Sequence, residues 1–311
     1  MSMIASANLD VANTTVTTAV NDIFKPDAPD TWKQFTTVIP AAGTSIEIVA
    51  VDGLPRVRER VGALQHGNLR AYKKNLAYRQ WEGTFDLPRI LVDNDQSGAV
   101  GQRVAEWPSV ISTYTEDIVI TALLANSITG YDGEPLLDAA HPNANGGAGA
   151  DNLETGALTW AIMRTVMDAQ GSLATETGLP LNIRSNTLLV GPANRRLARE
   201  LAGPMRPTAI GDASAVDAAT AKAALGFNNY DGQELMVIES PYIAGVEYIF
   251  MDLSKPTKPM LLAEFTKFRT LSQLTEASDG VYERDTYSWS IQGDVAPAPM
   301  AWQLAHGSVT A

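Results

Sequence analysis

The chain has no cysteine. That excludes disulfide staples, thiolate nucleophiles and cysteine-built metal clusters together. Histidine is nearly as scarce. His66, His141 and His306 are the full set of three, far apart in sequence, which argues against a histidine-built metal centre. No run of eighteen uninterrupted apolar residues occurs, so no segment reads as a membrane-spanning helix. The opening MSMIASANLDVANTT has neither the basic start nor the apolar stretch of a secretory leader. Synthesis in a cytoplasm is the expectation. Positive charge is short too: 23 Lys and Arg face 35 Asp and Glu, for a net charge of −12. Proteins that bind by neutralising phosphates carry the opposite sign, so sequence-independent nucleic-acid binding is disfavoured. Catalytic signatures are missing as well. There is no G-x-S-x-G elbow. The stretch NANGGAGADN has the glycines of a phosphate loop but neither the following Lys-Ser/Thr nor a preceding strand, and reads as a surface loop.

What is present is ample apolar material. At 311 residues, 45% hydrophobic, the chain can bury a large core in two domains or one elaborate one. Its charge is uneven. Residues 51–90 carry eight basic residues (Arg56, Arg58, Arg60, Arg70, Lys73, Lys74, Arg79, Arg89) against four acids (Asp52, Glu59, Glu82, Asp86). That segment is therefore +4, and the other residues together are −16, for the net of −12. Such a segment can be a solvated face or an arm that docks on the acidic surface of another copy. It lacks the aromatic interleaving of single-strand binders apart from Tyr72 and Tyr78.

Periodicity predicts the elements. LDVANTTVTTAVNDIF has helical spacing weakened by Thr and Val. TSIEIVAV reads as a strand and DGLP as a turn. Gly53 to about Arg79 is polar and basic, and reads as an extended loop ordered by contacts made elsewhere. QWEGTFDLPRILV alternates, with Trp81, Phe85 and Leu87 opposite Glu82, Thr84 and Asp86, as a half-buried strand does. A long helix follows. Its stripe runs Val100, Val104, Trp107, Ile111, Tyr114, Ile118, Ala122, Ala125, Ile128. Asp93 and Asp95 are available as caps and Gly130 as the stop. Its span is about 45 Å, and Pro108 inside it predicts a kink or two abutting helices.

Residues 157–174 form a second amphipathic helix through Trp160, Met163, Val166 and Leu173. NTLLVGP is a buried strand followed by the helix ANRRLARELA. A loop-rich stretch over 203–233 holds a short alanine-rich helix, and ELMVIES and EYIFMDL are further strands. KPMLLAEFTKFRTLSQL reads as one long or two adjoining strands. DTYSWSIQGDV alternates and is expected to pair with the strand around Trp81 and Phe85, returning the C-terminal part to the long helix. Trp107, Trp160, Trp289 and Trp302 fall on apolar stripes and read as core.

YDGEPLLDAAHPNANGGAG, residues 131–149, gathers Asp132, Glu134, Asp138 and His141. Metal-binding loops space oxygen ligands closely around a turn glycine. Here Asp132 and Asp138 are six apart, with Pro135, Leu136 and Leu137 between them. The preferred reading is structural: a YDG turn with His141 hydrogen-bonded locally.

Several stretches, in order, resemble the major head (capsid) protein family of Mu-like tailed phages. They are NDIFKPDAPDTWKQF, VDGLPRVRERVGALQHGNLRAYKKNLAYRQWEGTFDLPRILVDND, the long helix leading into YDGEPLLDAAHP, NTLLVGPANRRLARELA, YIFMDLSKPTKPMLLAEF and DGVYERDTYSWSIQGDVAPAPMAWQLAHG. The resemblance implies an α+β chain with the Hong Kong 97-type capsid fold. Its parts would be an N-terminal arm over 1–52, an extended loop over 53–92 and a peripheral domain over 93–178. The spine helix would run from about Gln96 to Thr129. An axial domain over 179–262 and return strands with the C-terminus over 263–311 complete it.

It implies a shell of hexamers and pentamers in the virion, assembled in the host cytoplasm with portal, scaffold and decoration proteins. The shell would enclose double-stranded DNA without sequence-specific binding, and no catalytic residue, cofactor or metal is expected. Arg56, Arg58, Arg60, Arg70, Lys73, Lys74 and Arg79 are the expected inter-subunit contacts, and Gly53, Pro88 and Pro108 the expected hinges. Crosslinking through Lys73 or Lys74 is not expected, because nothing marks the acid and partner asparagine it needs. The alternatives are a cellular nanocompartment shell of the same fold and, from another class, a soluble hydrolase using Asp132, Asp138 and His141.

Overall fold

Two hydrophobic patterns, one alternating and one continuous, build two different sheets. Their arrangement is seen in a computed structural model that describes residues 30–52, 59, 70–94, 98–141, 150–175, 179–202, 235–274 and 278–309. The expected helix over 9–23, the alanine-rich helix within 203–233, and Gly53, Arg56, Arg58 and Arg60 lie outside the described residues.

The first sheet has the order β1-β8-β9-β4. β1 is Thr36–Pro40, entered through the one-turn helix α1, Trp32–Phe35, whose Trp32 and Phe35 are buried. β4 is Gln80–Pro88, and its burial alternates residue by residue as its sequence predicts. β8 is Met260–Gln273, one long strand with two register irregularities between Glu264 and Arg269. β9 is Thr286–Pro299. β4 and β9 pair antiparallel, with Phe85 opposite Trp289, so the expected return of the C-terminal part is observed. The two rings stack at 5.2 Å, and the Trp107 indole meets Phe85 edge-on at 5.0 Å. That aromatic layer holds the sheet to the helix that crosses it.

The helix is in two pieces. α3, Ala99–Glu106, and α4, Ile111–Ala125, are joined by a 3-10 turn over Trp107–Val110 that contains Pro108. Its ends differ from the expected ones. Gly98, in a left-handed conformation with φ +70°, stands at the start, and Asp93 is instead paired with Arg89 at 3.1 Å in α2, Arg89–Asp93. The stop is Asn126, left-handed at φ 46°, four residues before Gly130. The buried face of α4 also departs from the predicted stripe. Glu116, Val119, Ile120 and Leu123 are buried along with Ile118, whereas Ala125 is exposed. The reason is that Ile118, Val119 and Ile120 are consecutive: a helix apolar all round sinks into its surroundings and leaves only a narrow polar line, here Asp117 and Thr121. Among the described residues no helix is long and apolar enough to cross a membrane.

The second sheet has the order β10-β7-β5-β6. β5, Thr187–Val190, and β7, Tyr248–Met251, are buried at every position. β6 is Met236–Glu239 and β10 is Ala305–Ser308. α5, Trp160–Ser172, capped by the Thr159 hydroxyl, and α6, Arg195–Ala202, lean Met163, Val166, Ala198 and Leu201 onto this sheet. β10 falls within the C-terminal stretch 263–311, expected to hold the return strands and the C-terminus. It pairs with β7. Gly307 permits that approach, since a Cβ there would lie 2.2 Å from the Tyr248 carbonyl oxygen.

A third, two-stranded sheet pairs β2, Ser45–Asp52, with β3, Arg70–Ala77. The expected extended loop up to about Arg79 thus ends in a regular strand. β2, expected within the N-terminal arm, is that strand's partner.

Candidate functional site

The hairpin of β2 and β3 has two unlike faces. Ile46, Ile48, Tyr72, Lys74 and Leu76 turn towards the body of the protein. Glu47, Val49, Lys73 and Asn75 turn to solvent. Ile46, Ile48 and Leu76 join a cluster with Leu261, Ala263, Ala296 and Ala298 of the first sheet. Lys74 occupies the inward face because its stem packs while its ammonium donates to Thr129 Oγ1. Next to it, the Tyr72 and Tyr131 rings lie 5.8 Å apart. The base of the hairpin is therefore held by its own subunit, and the outer face is left to water. On that face Lys73 Nζ lies 3.1 Å from Glu47 Oε1 across the strands, an exposed pair of small energy.

Of the seven residues expected to meet a neighbour, the four described ones separate. Lys74 is engaged inward and Lys73 and Arg79 face solvent. Arg70 lies at the start of β3, opposite Asp52, on the outermost described pair. Of the expected hinges, Pro108 lies in the 3-10 turn between α3 and α4. Pro88 does not stand at a loop end. It closes β4, which pairs with β9 along its length, and the chain leaves the hairpin earlier, at Tyr78 and Arg79.

The 131–141 stretch forms a bracket around Asn152. The Asn152 amide nitrogen faces the carbonyl oxygens of Leu136 at 2.8 Å, Ala305 at 3.0 Å and Trp302 at 3.2 Å. Its oxygen accepts from the Asp138 backbone N–H at 2.8 Å and lies 3.0 Å from His141 Nε2. Because that oxygen is already an acceptor, Nε2 carries a proton. The other ring nitrogen lies 2.7 Å from Asp132 Oδ2. Asp132 Oδ1 accepts from the Glu134 N–H, and Gly133 turns the chain at φ +96°. The His141 ring stacks on Trp302 at 4.0 Å, nearly parallel. Asn126, at the end of α4, pairs its side-chain amide with both backbone groups of Leu137.

These bonds tie the end of the long helix to the strand pair beyond Trp302. They do not make a hydrolytic site. The partner of His141 is Asp132, and the Asp138 carboxylate instead accepts from the Ala140 N–H at 2.8 Å. The side chains of His141 and Asp132 are 0% and 8% exposed, so no substrate reaches them. The other hydrogen-bond partner of His141 is the Asn152 amide, which is no nucleophile. Asn152, the centre of the bracket, carried no signal in the sequence beyond following a glycine-rich run.

Comparison with known proteins agrees with this structural reading. The family profile of the Mu-like prophage major head subunit gpT matches residues 9–165 and 228–311, well over half of the chain. No match is found among curated proteins. The fold is similar to the bacteriophage JBD30 capsid, with a TM-score of 0.54 at 13% identity, over 90% of this chain and 65% of that one. The chain therefore spans just under two thirds of that protein's length. A second JBD30 structure, the capsid decorated with minor capsid protein trimers, gives 0.56 at 18% identity, over 70% of this chain and 92% of that one. Mycobacterium phage Adephagia gives 0.55 at 13% identity, over 91% and 90%. The two sheets, the crossing helix and the anchored hairpin are thus the Hong Kong 97-type capsid fold. The chain belongs to the Mu-like prophage major head subunit family.

Proposed function

We propose that copies of this chain, a major capsid protein of a phage head, build their shell by laying the outer face of the β2–β3 hairpin across the acidic body of the next subunit. The observation that carries the reading is the hairpin's asymmetry. One face is anchored in its own core, and the other presents Lys73 beside Glu47, with Arg79 exposed just past the end of β3, on a chain whose net charge is −12. Each contact is modest, and closed symmetry multiplies it into a stable shell. Hexamers and pentamers are the units of such a lattice. Portal, scaffold and decoration proteins are its expected partners, and the host cytoplasm the place of assembly. The same negative charge keeps enclosed double-stranded DNA from adhering, because like charges repel across the screening layer. The family match is to a phage head subunit, which disfavours a cellular nanocompartment. Binding energy goes to identical neighbours and no substrate is turned over.

Reversing charge on the outer face tests this. In Lys73→Glu with Arg79→Glu, the assembly rate at low salt should fall about tenfold, as charge steering is lost. The gap should close at high salt. The thermal midpoint of the unassembled subunit should stay put, because exposed charges contribute little to folding. Equal assembly rates at every salt concentration would refute the docking.

A further inference from the structure

We propose that Glu116 is a buried charge that holds a three-way joint loose at neutral pH and lets it tighten on taking up a proton. The joint unites the segment leading into α1, the helix α4 and the corner after β6. Glu116 lies on α4 and is 0% exposed. Its Oε1 accepts two hydroxyl hydrogen bonds, from Thr31 at 2.6 Å and from Ser240 at 3.0 Å. Those donors lie 85 and 124 residues away in the chain. Its Oε2 is buried without a hydrogen-bond partner. One carboxylate thus fastens three distant segments and leaves half of its own hydrogen-bonding capacity unmet.

A buried carboxylate normally has a cation beside it, since an unpaired charge in a core is costly. Among the described residues, the groups that act on Glu116 are the two hydroxyls and another acid, Asp30, which is itself paired with Lys33 at 2.7 Å. Among the described residues, Tyr242 beyond Ser240 also lies near Glu116, together with Asp117 and Tyr114 of α4. Burial first, then Asp117, Glu116 and Tyr114, push the Tyr242 hydroxyl up. Burial likewise raises the Glu116 carboxyl, the two hydroxyl bonds oppose that, and the Asp30 charge adds to it. The folded protein therefore holds the Glu116 proton more tightly than the unfolded chain does. The stabilisation is complete below the ordinary carboxylate range and is lost as pH rises through the raised folded value. Protonation removes the charge and leaves Oε1 free to keep a hydroxyl partner.

The test compares the full-length chain with Glu116→Gln between pH 4 and pH 8. Glutamine keeps Oε1 and has no charge. The variant should melt about 3 °C or more above the wild type at pH 8, and the two should converge as the pH falls towards the carboxylate range. Ser240→Ala removes one donor to the carboxylate and should move the convergence to higher pH. Hydrogen exchange on the wild type alone gives a second reading. Corrected for intrinsic rates, protection of the Trp32–Phe35 amides should rise as the solution is acidified. Parallel melting curves, a gap that widens in acid, or protection that does not change with pH would each overturn the proposal. None of these readings requires a shell to form, so they stand apart from the test of hairpin docking.

Discussion

The two four-stranded sheets use the same number of strands for opposite ends. In the second sheet, β5 and β7 are four residues long and buried throughout. In the first, β8 and β9 run for fourteen residues each. β8 is buried over Met260–Ala263 and exposed from Thr270 onwards, and β9 mirrors it, buried from Val295 to Pro299. The first sheet is thus a core at one end and a projecting blade at the other. The blade's end carries Ile90 and Leu91 of α2, Leu271 and Leu274 around the end of β8, and Tyr282 of α7, Asp279–Arg284, which is 85% exposed. The Arg89 N–H donates to the Asp285 carbonyl, which puts α2 beside the end of α7. Exposed apolar groups gathered in one place mark a contact surface, and a subunit of a shell has reason to keep one. The comparison teaches that one sheet stabilises the subunit and the other also reaches beyond it.

The largest effect should come from the fully buried strands of the second sheet. Phe250 in β7 is 0% exposed, and its ring meets Tyr248 edge-on. Phe250→Ala should cost the subunit about 3–5 kcal/mol, from lost burial and the cavity left behind, read by urea unfolding of the dispersed chain. Tyr282→Ala at the blade end should change that value by about 0.5 kcal/mol or less while lowering assembly yield. Comparable losses of stability from the two variants would erase the distinction between the sheets.

The junction of the two sheets should be the next most sensitive place. Asn152 bonds to Leu136, to Trp302 beyond β9 and to Ala305 in β10, so it closes the turn between the sheets. Asn152→Ala strands several buried carbonyls and the His141 N–H, each costing about 1–3 kcal/mol when unmet. After relaxation a net loss of about 3 kcal/mol is expected, again by urea unfolding. Asp138→Asn keeps the backbone bond to Asn152 and should cost under about 1 kcal/mol. A hydrolase would show the reverse order of harm, in activity rather than stability.

How far this was legible in the sequence depends on what signals each feature. The blade was readable because Trp81, Phe85 and Leu87 alternate against Tyr287, Trp289 and Ile291, and a period of two survives in any half-buried strand. The family resemblance added the architecture. β3 was missed because Lys74 sits on its inward face, and a lysine whose stem packs breaks a pattern counted by residue type. The α4 face was misplaced because three consecutive apolar residues carry no phase. Neither the Asn152 bracket nor the Glu116 joint has any local signature. Both depend on groups more than eighty residues apart that only folding brings together. The seating of β10 in the second sheet is equally silent, since AHGS has too little pattern to choose a neighbour.

The smallest expected effect concerns how the second sheet responds to acid. His306 in β10 is buried, with Nε2 3.1 Å from Glu154 Oε1. Burial lowers its proton affinity, and the hydrogen bond and charge of Glu154, with Asp151 behind it, pull the other way without cancelling the burial. The folded state thus binds the His306 proton less tightly than the unfolded chain. This contribution to stability is present above the ordinary histidine range and is lost as pH falls through the lowered folded value. Its sign is opposite to that of Glu116, and it acts in a neighbouring window. His306→Gln should remove it. The wild type should lose on the order of 1–2 °C more than the variant when taken from pH 7.5 to pH 5.5, measured by differential scanning calorimetry. Because Glu116 is unchanged in both proteins, its rising contribution cancels in that difference. A wild type that loses no more than the variant would show that the Glu154 carboxylate fully compensates the burial. The second sheet would then be as indifferent to acid as its fully buried strands are to solvent.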